Sequence, residues 1–252
     1  MGRWFVALAL TVTAMLTMGV ASAQTTGAAD TIRDVRFGDH GSYERMVLDL
    51  GYEELPADFA PNYRWTYNGG GTILRLNLPT VSSTLVTDGS GLGKGISRYY
   101  VVRGSNGANL STEVHLADAA GPATVFYLNY PARVVIDVPT GGQNFRPDPA
   151  FGDNVVVKQP RANYTVGPGV FTITGYGRPF EAAGTWRILD ASGEIAREGA
   201  YYTSDWATTW GRFALTADYP AYLGGQSGTL QVGQYSARDG SFDGVSIPLT
   251  FR

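Results

Sequence analysis

Val245-Ser246-Ile247-Pro248-Leu249-Thr250-Phe251-Arg252 alternates without a break between apolar and polar side chains. A strand puts successive side chains on opposite faces, so period two predicts a strand with one buried face. Pro248 has no N–H to give a ladder, so this strand is expected at a sheet edge or with an unpaired side there. The same period recurs upstream. Leu74, Leu76 and Leu78 alternate with Arg75 and Asn77; Val134, Ile136 and Val138 alternate with Val135 and Asp137. Phe213, Leu215 and Ala217 alternate with Ala214 and Thr216. Asn68-Gly69-Gly70-Gly71, Ser105-Asn106-Gly107, Asp190-Ala191-Ser192-Gly193 and Arg238-Asp239-Gly240 separate such runs and tolerate positive φ. Short strands joined by glycine and Asx corners, with no long 3.6-residue period, predict an all-β chain of sandwich or barrel type.

One stretch breaks the pattern. Pro139 to Asp153 (PTGGQNFRPDPAFGD) holds three prolines and three glycines in fifteen residues. It reads as a linker between two β-sandwich domains, at 30–138 and 154–252. A short polar leader, 24–29, precedes the first.

The 252 residues include 33 glycines and no cysteine, and only 16% are charged. Without cysteine there is no disulfide, thiol nucleophile, Cys zinc site or lipidated cysteine. Two histidines, His40 and His115, exclude a multi-His metal centre. A net charge of −3 argues against nucleic acid as the partner. Met1–Ala23 reads as a secretory signal: Arg3 supplies the positive end, Trp4–Val20 is uncharged and apolar, and Ala21-Ser22-Ala23 is a small-x-small cleavage site. An uncleaved anchor is the alternative. Cleavage leaves 18 basic against 22 acidic residues, a net −4, and no stable membrane anchor.

His40, in Gly38-Asp39-His40-Gly41, reads as a surface loop residue. His115 shares a strand face with Glu113, opposite Val114 and Leu116, and reads as solvated. No Gly-x-Ser-x-Gly elbow accompanies either. Gly89-Ser90-Gly91-Leu92-Gly93-Lys94-Gly95 fails the phosphate-loop spacing, with Asp88 and Gly95 where glycine and Ser/Thr are needed, and reads as a β–β loop. Asp239 and Asp243, around Gly240 and Gly244, are weak calcium candidates and first of all turn formers.

The aromatic surplus is the more informative feature. Tyr63, Trp65 and Tyr67 share one strand face, able either to stack on sugar rings or to line a core. Tyr201, Tyr202, Trp206 and Trp210 cluster with Thr203, Ser204, Asp205, Thr208 and Thr209, a recognition-surface composition. Trp186 and Phe180 read as core.

Resemblance extends this reading. Ile32-Arg33-Asp34-Val35-Arg36-Phe37, Tyr43 through Leu50, Tyr63 through Tyr67, and the closing P-x-R-x-x-x-D-V segment from Pro131 to Val138 make residues 30–138 resemble an AMIN-like domain. The resemblance implies a small β-sandwich of a bacterial envelope protein; several such domains bind peptidoglycan. Val155 through Pro160, Gly175-Tyr176-Gly177-Arg178-Pro179-Phe180-Glu181, Thr185-Trp186-Arg187-Ile188-Leu189-Asp190 with Gly193, Trp210 through Phe213, and Ser236 through Ser241 make residues 154–252 resemble a Gmad2 domain. That implies an immunoglobulin-like fold in a bacterial envelope or spore-germination protein. Neither resemblance brings catalytic residues or a cofactor.

The expectation is an exported, non-enzymatic bacterial envelope protein. Its first domain would bind cell-wall glycan or peptidoglycan and its second would bind envelope proteins. Candidate ligand residues are Tyr63, Trp65, Tyr67, Tyr201, Tyr202, Trp206 and Trp210. The alternatives are a secreted polysaccharide-active hydrolase with distant carboxylates and an envelope assembly protein.

Overall fold

The computed structural model describes residues 27–53, 55–142 and 149–252. The stretch read above as a secretory signal and the middle of the Pro/Gly segment lie outside the described residues. Eleven described strands come before that segment: β1 (Thr31–Asp39), β2 (Tyr43–Tyr52), β3 (Leu55–Pro56), β4 (Arg64–Asn68), β5 (Ile73–Leu78), β6 (Ser83–Thr84), β7 (Asp88–Ser90), β8 (Ile96–Arg103), β9 (Leu110–Leu116), β10 (Thr124–Leu128) and β11 (Arg133–Pro139). Nine follow: β12 (Ala150–Phe151), β13 (Val155–Gln159), β14 (Tyr164–Val166), β15 (Val170–Gly177), β16 (Ala183–Leu189), β17 (Ile195–Tyr202), β18 (Trp210–Asp218), β19 (Ser227–Tyr235) and β20 (Phe242–Phe251). Among the described residues the only helical pieces are single 3-10 turns, so the chain is all-β as expected. The last part of the expected linker is strand β12, paired with β13.

In the first domain β10-β11-β2-β1-β6 face β4, β5, β8 and β9. The period-two residues meet between them: Ile32, Met46, Leu48, Val134 and Ile136 pack against Leu74, Leu76, Val101 and Val114. In the second, β14-β20-β19-β16-β17 cover β12-β13-β15-β18 around Trp186, Ile188, Phe213, Leu230, Ile247 and Phe251. The immunoglobulin-like arrangement is present. β20 is not an edge strand, because it lies between β19 and β14. Its proline still has no amide to pair: the Pro248 carbonyl accepts from Asn163 N just before the short β14 begins, so its nitrogen faces the end of that strand.

The linker is not what holds the domains together. β18 and β8 pair in parallel, Trp210 with Val102 and Gly211 with Arg103, so one sheet of nine strands runs through both domains. A Cβ on Gly211 would lie 2.2 Å from the Asp205 amide nitrogen, so this splice admits only glycine. The sheet folds back on itself. Arg98 of β8 lies 3.5 Å over the ring of Phe151, on the far strand β12. Arg161, after β13, donates to the Gly69 carbonyl, after β4. Tyr99 and Val101 enter the first core, whereas Tyr100 and Val102 point the other way and meet Val156, Tyr176 and Trp210. The molecule is therefore four layers deep, with a third core between the domains.

This overturns one expectation. β9 is buried along its whole length. Glu113 and His115 do share a face, but it is covered by the second domain, and His115 is 0% exposed.

Candidate functional site

Tyr63, Trp65 and Tyr67 lie on β4 and just before it, at the edge of the shared sheet, since β4 pairs only with β5. The Tyr63 and Tyr67 hydroxyls reach across to β10 and the residue before it. Tyr63 donates to the Val125 carbonyl at 3.2 Å, and the Tyr67 oxygen accepts from the Ala123 amide at 2.8 Å. Trp65 meets Tyr67 edge to face at 5.6 Å. Tyr63 adds to the core rim, while Trp65 and Tyr67 stay exposed. The row is thus partly core and partly surface.

Beside Tyr63 lies a concavity of about 260 Å³, lined by Phe59, Pro61, Asn62, Tyr63, Tyr127 and Asn129. Tyr127 meets Tyr63 edge to face at 6.3 Å, and Phe59 meets Tyr130 likewise at 5.1 Å. Tyr130 has φ of +55°, a conformation an aromatic residue adopts only under constraint, and its ring stands 67% exposed. Asn129 Oδ1 accepts from the Ala60 amide, which fixes the side chain with its NH₂ available to a ligand. Phe59, Tyr127 and Tyr130 were missed in sequence. Tyr127-Leu128-Asn129-Tyr130-Pro131 carried the available signal: two tyrosines around an asparagine, ahead of a turn proline.

The second aromatic group divides. Tyr201 is 2% exposed and packs on Phe213 at 4.6 Å, with its hydroxyl pKa pushed up by burial. Trp210 is buried against Tyr100 at 4.5 Å, and its Nε1–H donates to Asp88 Oδ2 at 2.9 Å. These two are structural, contrary to the sequence reading. Tyr202 is 73% exposed and Trp206 stays at the surface. Trp186 is core as expected, but Phe180 is 65% exposed and stacks edge to face on Trp206 at 5.3 Å. Glu181 and Ala182 follow with φ of +55° and +60°, which costs roughly 1–2 kcal/mol per residue.

The glycine loop grips an anion, and the anion is internal. Leu92, Gly95 and Ile96 amides donate to the buried Glu44 carboxylate at 2.7, 2.9 and 3.0 Å. Asp239 accepts from the Ser241 amide and hydroxyl, which with Ser236 hold its carboxyl at about 2; Asp243 meets Asn154 at 3.4 Å. Both serve their turns, and among the described residues no three His, Asp or Glu side chains converge as a metal site. His40 is exposed and stacks on Tyr43 at 4.7 Å, as a loop histidine would.

Between the domains lies a buried polar cluster. Glu113 Oε1 accepts from Arg75 Nε and Arg212 Nη2, each at 2.7 Å. Burial would raise the Glu113 carboxyl, but Arg212 and Arg75, with Lys158, hold it below the usual range. His115 Nε2 is hydrogen-bonded to the Tyr176 hydroxyl, and its Nδ1 has no partner. Desolvation takes His115 down to about 3 and Lys158 down to about 8. Of these contacts, Glu113–Arg212 and His115–Tyr176 join the two domains.

The class is therefore a pair of β-sandwiches fused through a common sheet, with large aromatic side chains exposed on both. Residues 154–241 match the Gmad2 family, the immunoglobulin-like domain of bacterial spore germination. β20 lies beyond the match yet completes that domain's core. No curated protein matches the chain. The match does not reach residues 30–138, so the AMIN-like resemblance there rests on sequence pattern alone.

Proposed function

We propose that this is an exported bacterial envelope protein whose first domain binds cell-wall glycan and whose Gmad2 domain contacts envelope proteins. The observation that carries the glycan reading is the concavity of Phe59, Tyr63 and Tyr127, with Tyr130 at its side and Asn62 and Asn129 within it. Aromatic faces attract the C–H face of a pyranose, and side-chain amides pair with its hydroxyl and acetamido groups. The AMIN-like pattern of residues 30–138 makes peptidoglycan the leading glycan. A hydrolase is less well supported, because the buried acids Glu44 and Glu113 are engaged by backbone amides and by arginines.

The test is sedimentation of the mature protein with purified peptidoglycan sacculi. The wild type is expected to co-sediment, and Tyr127→Ala/Tyr130→Ala to bind about tenfold more weakly, as the loss of two stacking rings implies. Equal sedimentation of wild type and an unrelated sandwich domain would sink the reading.

A further inference from the structure

We propose that Phe180 and Trp206 form a second carbohydrate-stacking site, on the Gmad2 domain, for gluco-configured pyranosides. The two rings meet at 68° with centroids 5.3 Å apart, which makes an open corner rather than a flat apolar patch. A pyranose whose hydroxyls are all equatorial presents axial C–H groups on both faces, and such a ring fits a corner of this kind.

The corner is built rigidly. Asp205 Oδ1 accepts from the Trp206 and Ala207 amides at 2.6 and 3.1 Å, while Oδ2 takes the Thr208 and Thr209 hydroxyls and Arg103 Nε. Burial opposes ionisation of Asp205, but the bonds from Thr209, Arg103 and Thr208 hold its carboxyl well below the usual range. The loop carrying Trp206 is thus tied down at one carboxylate. Phe180 is held from the other side. Its amide donates to Gln234 Oε1 at 2.8 Å, and the Ala182 carbonyl accepts from the Thr203 amide at 2.9 Å. The left-handed pair Glu181 and Ala182 directly follows Phe180, whose ring stands exposed. Non-glycine residues in the left-handed region cluster at active and ligand-binding sites.

The surroundings favour sugar over a protein partner. The rings are flanked by polar groups: the exposed Glu181 carboxylate, Thr208 and the Gln234 amide, whose Nε2 makes no bond among the described residues. The Trp206 indole N–H is also uncommitted among the described residues. Apart from Tyr202, the exposed residues next to the pair in the chain, Glu181, Ala207 and Thr208, offer little apolar area for a protein hot spot to desolvate. Hydroxyl-bearing rings need a small apolar platform with donors and acceptors around it.

The site stands apart from the first-domain concavity and is tested independently of it. Chitohexaose and cellohexaose are titrated into the mature protein while the Trp206 indole N–H resonance is followed, with an oligogalactan as the probe whose axial hydroxyl spoils one ring face. The gluco-configured probes are expected to shift that resonance saturably, the oligogalactan not. Phe180→Ala and Trp206→Ala, both at surface positions, should each weaken the titrated site about two- to tenfold. If the indole stays unmoved while Tyr127→Ala/Tyr130→Ala abolishes binding, the second site is wrong and the first-domain reading stands. If binding survives that double substitution and is lost in Phe180→Ala/Trp206→Ala, the second site stands and the first-domain assignment fails. A Trp206 shift produced equally by the oligogalactan overturns the ring-face argument.

Discussion

Glu113 of the first domain and Arg212 of the second, 99 residues apart, meet at 2.7 Å, with the Glu113 side chain wholly out of solvent. Arg75, from the neighbouring strand of the first domain, binds the same carboxylate oxygen. A charge buried this way is safe only while its partners stay. The pair joins the two domains through one buried charge.

Arg212→Ala should therefore destabilise the whole protein by about 1.5–3 kcal/mol, because it removes one charge-assisted bond from a buried carboxylate that then keeps Arg75 alone. Urea unfolding followed by tryptophan fluorescence measures it. One transition is expected in the wild type, and two separated transitions would show that the domains unfold independently.

Acid should weaken the fold through His115. Its folded pKa of about 3 lies below the ordinary 6.5, because burial among Arg98, Lys158 and Tyr176 excludes the cation despite nearby Glu113. The unfolded chain takes up the proton first. The contribution is therefore complete above pH 6.5 and is lost as pH falls towards 3, at roughly 1 kcal/mol per unit. His115→Phe should flatten the slope of stability against pH between about 4.5 and 6.5. An unchanged slope in that variant would count against the buried neutral imidazole.

Lys158 is held down to about 8 by burial, so its ammonium at pH 7 is an unfavourable charge only partly offset by Glu113. Lys158→Met should raise stability by about 1–2 kcal/mol at neutral pH. The gain should shrink between pH 8 and 10, where the wild-type folded state is relieved by losing the proton. Chemical denaturation at the two pH values gives both numbers.

Removing Glu44 should open the glycine loop. Glu44→Ala leaves the amides of Gly95 and Ile96 buried without an acceptor, at about 1–3 kcal/mol for each group. Amide hydrogen exchange should quicken at residues 92–96 before any change in the second domain. Uniform exchange across both domains would mean that the loop is not separately anchored.

Strands and inward faces were legible in the chain, because the strand period is local. Leu74, Leu76 and Leu78 declare their face through their neighbours, and so do Ile247, Leu249 and Phe251. The Gmad2 pattern was legible for the same reason. The interface was not. Glu113 and His115 alternate with apolar residues as a solvated face does, and nothing nearby in the chain distinguishes water from a second polar sheet. Tyr201 and Tyr202 show the same limit: two adjacent tyrosines, one in the core and one in solvent, according to which face the strand turns inward.

Residue order alone carried the all-β class, the two domains, and the expectation of export and of aromatic recognition. Each follows from periodicity, from turn chemistry, from the apolar N-terminal run with its small-x-small end, or from a resemblance that spans a domain. Folding settled which aromatics are available. Tyr201 and Trp210 were drawn into cores, Phe180 was left exposed beside a left-handed backbone pair, and Phe59 was brought against Tyr130 in the turn that follows β10 and its Tyr127. Burial is a property of distant chain segments meeting, and a sequence pattern with a two-residue reach has no access to it.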